Sequence, residues 1–153
     1  MIQLYGGEVP EDIAVLLEDG MSRYAETDAA EAKLLEAKKR APWSLAVHFS
    51  LYKFYFYKKR LLDAEIIASE ALIEAAAQGG FDHEWERLHP SSANWKENAA
   101  HFYLFSLKAL AFMRLRQGDD AGCASMLAKI DELDREDSVG ASVIREIAAG
   151  ARS

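Results

Sequence analysis

The 153-residue chain has one cysteine, Cys123, so no disulfide can form within it. It has three prolines. From Pro42 to Gln78 there is no glycine, no asparagine and no second proline, so a hairpin there would lack turn residues. No apolar stretch nears the roughly 18–20 uncharged residues that span a bilayer. Met1 to Gly7 shows no basic stretch followed by an apolar run, so a secretory leader is not expected. Basic residues are in deficit, 18 against 25 acidic, for a net charge of −7. That balance argues against nucleic-acid binding, which depends on neutralising phosphates. These absences predict a cytoplasmic chain, outside the membrane, most simply read as one domain over residues 1–153.

The most unusual stretch present is FSLYKFYFYKK, residues 49–59, whose first nine residues include six aromatics. Strand propensity favours Tyr and Phe. Its flanks, DAAEAKLLEAKKRA and LLDAEIIASEALIEAAA, are rich in strong helix formers. The spacing therefore predicts a helix, begun near Pro42. On a helical wheel Ala46, Ser50, Lys53, Tyr57 and Arg60 share one side, with Phe49 and Phe56 at its edge. The other sides are apolar, as expected of a helix packed on more than one face. Lys58-Lys59-Arg60 sits at the helix end, where the dipole favours cations.

Small residues recur at fixed spacing. Ala30 and Ala37 are followed 34 positions later by Ala64 and Ala71, and Leu17 by Leu51. A third set, Cys123, Leu127 and Ile130, lies 59 positions beyond Ala64, Ala68 and Ala71, after the turn residue Gly118. A 34-residue period of paired helices resembles the tetratricopeptide repeat. Ala30, Leu34, Ala37 and Pro42 fit its pattern, while Ala76, Ile130 and Arg135 depart from it. The resemblance implies an all-α, right-handed solenoid of helical hairpins, with repeats near 11–44, 45–78 and 104–137. An insertion at 79–98 precedes the last repeat, and a capping helix at 138–150 opens at Ser138. That helix would cover the last unit with Val139, Val143, Ile144 and Ile147. Within the insertion, FDHEWERL would form a short helix, Pro90 a turn, and Ser92 or Asn94 the cap of the next helix.

In such arrays the first helix of each unit lines a concave groove. The residues placed there are Phe49, Lys53, Phe56 and Tyr57 in the second unit, and Phe105, Lys108, Phe112 and Arg116 in the third. The same register places Asp12, Val15, Asp19, Ser22 and Arg23 in the first. Rings and cations together suit an acidic peptide or protein partner. The alternative is that the rings pack and the lysine tips snorkel. His83, Trp85 and Trp95 in the insertion form either a lid or a satellite hydrophobic cluster. The resemblance thus implies an adaptor or co-chaperone. Val15 and Asp19 replace the residues of the family's chaperone-tail clamp. Size and architecture also resemble the small acidic chaperones of type III secretion. A third alternative is self-association through Ile13, Leu16 and Leu17 or through the C-terminal helix, giving a homodimer.

No catalytic or metal site is expected. The histidines are His48, His83, His89 and His101, and His83 and His89 lack metal-ligand spacing. Cys123 occupies a packing position, and no phosphate-binding glycine loop is present. The chain is read as a non-enzyme without cofactor.

Overall fold

A computed structural model describes residues 1–151. It opens with an antiparallel hairpin of β1 (Ile2–Leu4) and β2 (Gly7–Val9), paired Ile2 to Val9 and Leu4 to Gly7. Seven α-helices follow among the described residues: α1 (Glu11–Ser22), α2 (Thr27–Arg40), α3 (Leu45–Tyr57), α4 (Leu61–Gly79), α5 (Asn98–Arg116), α6 (Asp120–Leu133) and α7 (Ala141–Ala151). The chain divides into two compact units, residues 1–70 and the part from Ala71 onward, with the boundary inside α4. No described helix is long and apolar enough to cross a membrane.

In unit 1, α1 packs on α2 and α2 on α3. The small residues of the repeat pattern are interior: Ala30, Ala37, Ala64 and Ala68 are fully buried. Gly20 continues the close approach, because a Cβ there would lie 2.8 Å from Leu34 Cδ2. Of the α1 residues expected in self-association, Ile13 and Leu17 are core residues, 2% and 5% exposed, while Leu16 is half-buried.

The aromatic stretch is helical, as predicted, but α3 starts at Leu45 rather than near Pro42. Ser44 is the cap: its Oγ accepts from the Val47 amide at 3.2 Å. The β-hairpin was not foreseen, because three-residue strands are too short to show alternation. Its turn uses Gly6 at φ 97, and α3 approaches so closely that a Cβ on Gly6 would lie 2.8 Å from Ala46 N. Ala46, placed by the wheel on the ligand face, is therefore buried.

One polar network ties α2 to the α3–α4 turn. Tyr55 Oη donates to Glu31 Oε2 at 2.6 Å, and Arg60 Nη2 lies 2.9 Å from the same oxygen. Arg60 Nε also bonds Asp63 at 2.9 Å, and its guanidinium stacks 4.6 Å from the Tyr55 ring.

In unit 2, α5 packs on α6, and α7 packs on both. Cys123, Leu127 and Ile130 are buried. Asp119 caps α6 by accepting from the Gly122 amide at 2.9 Å, after Gly118 turns the chain at φ 83. The last helix differs from its prediction. Ser138 does not cap it; its amide and hydroxyl bond Asp134, and α7 starts at Ala141. Asp137 does the capping, accepting from the amide and hydroxyl of Ser142. The buried stripe of α7 is Ala141, Ile144 and Ala148, whereas Val143 and Ile147 are exposed. The expected short helix in the insertion is one 3-10 turn, Trp85–Arg87, and a second covers Pro90–Ser92. Neither Ser92 nor Asn94 caps α5, which follows Glu97 without a side-chain cap.

The Arg60 and Tyr55 hydrogen bonds hold the Glu31 carboxyl below its ordinary range. A depressed carboxylate contributes stability above its unfolded pKa and loses it as pH falls through the folded value. Glu31→Gln is therefore expected to cost about 1 kcal/mol at pH 7. Denaturant melts from pH 7 downward should show that difference shrinking below about pH 4.5. A difference constant with pH would contradict the assignment.

Candidate functional site

The predicted ligand residues fall into two local groups. In unit 1, Phe49, Lys53 and Tyr57 come together around one cavity of about 170 Å³. Its other walls are Gly20, Met21, Tyr24, Leu34, Ser50 and Phe54. The arrangement follows from helical spacing: residues 49, 50, 53, 54 and 57 recur every three or four positions along one side of α3. Leu34 from α2 forms the floor at 2% exposure, while Met21 and Tyr57 stand open at 63% and 60%. Phe56 is not among the walls; its ring lies edge-on to Tyr57, with centroids 5.7 Å apart.

The hairpin supports this wall. Tyr5 meets Phe49 edge-on at 5.1 Å, and Phe49 meets Tyr52 at 5.6 Å. Burial pushes the Tyr5 hydroxyl up to about 12, so it stays neutral at physiological pH. Lys53 Nζ lies 5.6 Å from the Phe49 centroid. Lys58 Nζ lies 3.9 Å from the Tyr24 centroid and 5.8 Å from that of Phe54. The site is thus an apolar, ring-walled cup with two cations over its rings.

Met21 and Tyr24 were missed in the sequence. Extending the α3 register back by 34 positions lands on Ser22 and Arg23, assuming the helix continues. It ends at Ser22, and the turn that follows re-aims Tyr24 toward Phe54, centroids 5.8 Å apart. Of the first-unit residues expected at the groove, Arg23 is instead ion-paired with Glu26 and Asp12 with Arg40.

In unit 2, the α5 residues form two cation–ring pairs. Lys108 Nζ lies 4.3 Å from the Phe105 centroid, and the Arg116 guanidinium 5.1 Å from that of Phe112. The Lys108 ammonium also donates to the Val139 carbonyl at 2.7 Å, helping to hold the loop before α7. Burial pulls its pKa down, and Asp137 opposes that shift. Trp95 is 5% exposed and packs with Phe81 and Tyr103, centroids 5.1 and 6.3 Å away. Its indole donates to the His89 carbonyl, and Tyr103 Oη donates to the His83 carbonyl at 2.6 Å. Trp85 is half-buried and the His83 side chain exposed. The packing of Trp95 is that of the satellite-cluster alternative. Among the described residues, no group of three or more His, Cys, Asp or Glu side chains could hold a metal ion.

No family model matches the chain, and no solved structure matches it. It is similar to the uncharacterized 19.8 kDa protein in the nifW 5′ region of Azotobacter chroococcum mcd 1, with 31% identity over 131 residues. The match covers 83% of this chain and 73% of that protein. The chain belongs to that protein's family. What the relative's name records is a position beside nifW, so the family relation carries no activity with it.

The floor of the cup is set by the fit of Leu34 against Gly20. Gly20→Ala would gain about 1 kcal/mol in helix propensity. The added methyl would also press Leu34 out of a packed position, and overpacking costs about 1–3 kcal/mol. A net loss of about 1 kcal/mol is expected in denaturant melts, and a stabilised variant would contradict the packing.

Proposed function

We propose that the chain is a non-enzymatic protein-interaction scaffold, a helical-repeat adaptor of the tetratricopeptide kind, that holds a peptide or partner protein at the cup of unit 1. The cup's size supports this reading best. About 170 Å³ is close to the volume of an engineered apolar cavity that takes a benzene-sized guest. It falls short of the roughly 300–1,000 Å³ typical of cofactor and small-molecule sites. One apolar side chain fits, presented by a larger partner whose remaining surface meets the exposed rings. Buried aromatic anchors of this sort dominate interface energetics. Phe49 and Phe54 are held by packing before any partner arrives, which limits the ordering cost of binding.

The test is affinity capture from native extract with the full chain and with a Lys53→Glu/Tyr57→Ala variant. Both side chains are exposed, so the variant's melting temperature is expected within a few degrees of the parent. A protein held by the parent and lost by the folded variant is the expected result. Equal capture would move binding away from the cup, and no captured protein would overturn the scaffold reading.

A further inference from the structure

Resting on that reading, we infer that the unit 1 cup recognises an internal peptide segment in which one aromatic side chain is flanked on both sides by acidic residues. The aromatic preference comes from the walls. Tyr24, Phe49, Phe54 and Tyr57 offer ring edges and faces around the space, and Met21 adds a thioether. Rings gain from edge-to-face contact and from sulfur beyond what their area contributes. An aromatic anchor is therefore favoured several-fold over leucine.

The acidic preference comes from two cations of the α3 segment that lie over different rings of the cup, Lys53 among its walls and Lys58 outside them. Lys53 lies over Phe49, and Lys58 lies over Tyr24 and Phe54. Neither has a carboxylate partner among the described residues, although the chain holds 25 acidic residues against 18 basic ones. Their neighbour Arg60 is paired twice, and Lys38 and Arg40 are paired as well. Lys58 sits at the end of α3, where the helix dipole already favours a cation. Lys53 lies a turn earlier, where the dipole gives it no such role. Cations held against rings beside an apolar cup complement an anchor whose neighbours carry negative charge.

The acid belongs on side chains within the segment rather than at a chain end. Capture of a terminal carboxylate relies on converging backbone N–H groups. The cup is built from the C-terminal part of α1, the turn after it, the middle of α2 and the side of α3, with no helix N-terminus among its walls. The amides that follow α3 are spent as well, since Lys58, Lys59 and Arg60 N donate to Phe54, Phe56 and Tyr55 carbonyls. Side-chain carboxylates next to the anchor can instead meet Lys53, over the Phe49 ring, and Lys58, over the Tyr24 ring.

The experiment is selection of a random 12-residue peptide library on the immobilised full chain. Each peptide is fused through its C-terminus, so no free terminal carboxylate is offered. Enriched peptides are expected to share one aromatic residue with Asp or Glu within about three positions on each side. For a synthetic representative, replacing its acids by Asn or Gln should weaken binding to the parent by about 10-fold. The same replacement should leave binding to a Lys53→Met/Lys58→Met variant nearly unchanged. Enriched peptides lacking this pattern, or acids that matter equally to parent and variant, would overturn the inference and leave peptide binding standing. Failure to enrich any peptide would overturn the inference and count against the scaffold reading as well. The acid-replacement comparison on the parent alone decides the charge preference if the double variant does not fold.

Discussion

Unit 1 depends on how closely α1 and α2 approach. At Gly20 the missing side chain lets α1 settle where even a methyl would lie 2.8 Å from Leu34. Ala30 and Ala37 do the same along α2, both fully buried. Small residues at helix contacts let backbones approach while larger neighbours fill the remaining space. Leu34 is such a neighbour, and its position makes it both a core residue and the floor of the cup. The wall residues Met21 and Tyr24 follow from the same approach, because α1 ends just after Gly20 and the chain turns over the floor.

The rings of α3 divide between two tasks. Tyr52, Phe54 and Tyr55 are buried at 2–5% exposure and fix the helix in its unit. Phe49 is intermediate, and Tyr57 is 60% exposed. Phe49 is steadied by Tyr5 from the hairpin, so the small β element has a role beyond covering Ala46. Tyr55 is anchored through its hydroxyl to Glu31, and Arg60 closes that network over the ring. Polar bonds thus fix the helix on the side away from the cup's walls, and apolar packing shapes the cup.

Much of this was legible from residue spacing. The small residues at 30, 37, 64, 68 and 123 were expected at helix contacts and are buried. The helical state of residues 49–57 followed from the lack of turn residues between Pro42 and Gln78. Three of the four second-unit ligand candidates, Phe49, Lys53 and Tyr57, do share a cavity. What escaped depends on chain ends and turns, where periodicity carries no information. The three-residue strands, the start of α7 at Ala141, and the re-aimed Tyr24 are all of this kind. Capping also misled: Ser138 has the right chemistry for a cap, but Asp134 claims its amide and hydroxyl first. Trp95 could not be assigned in sequence because its partners, Phe81 and Tyr103, lie on either side of it in the chain at distances no helical period links.

On the proposed reading, the space above Leu34 is a preformed site for one ring. It is tested most directly by methionine-methyl NMR during titration with indole. The chain has four methionines, of which Met21 lines the cup while Met113 and Met126 are 1% and 5% exposed in unit 2. A saturable ring-current shift of the Met21 methyl, with Met113 and Met126 unmoved, is the expected result. A Met21 signal that stays in place, or one that drifts together with the other three without saturating, would contradict the claim.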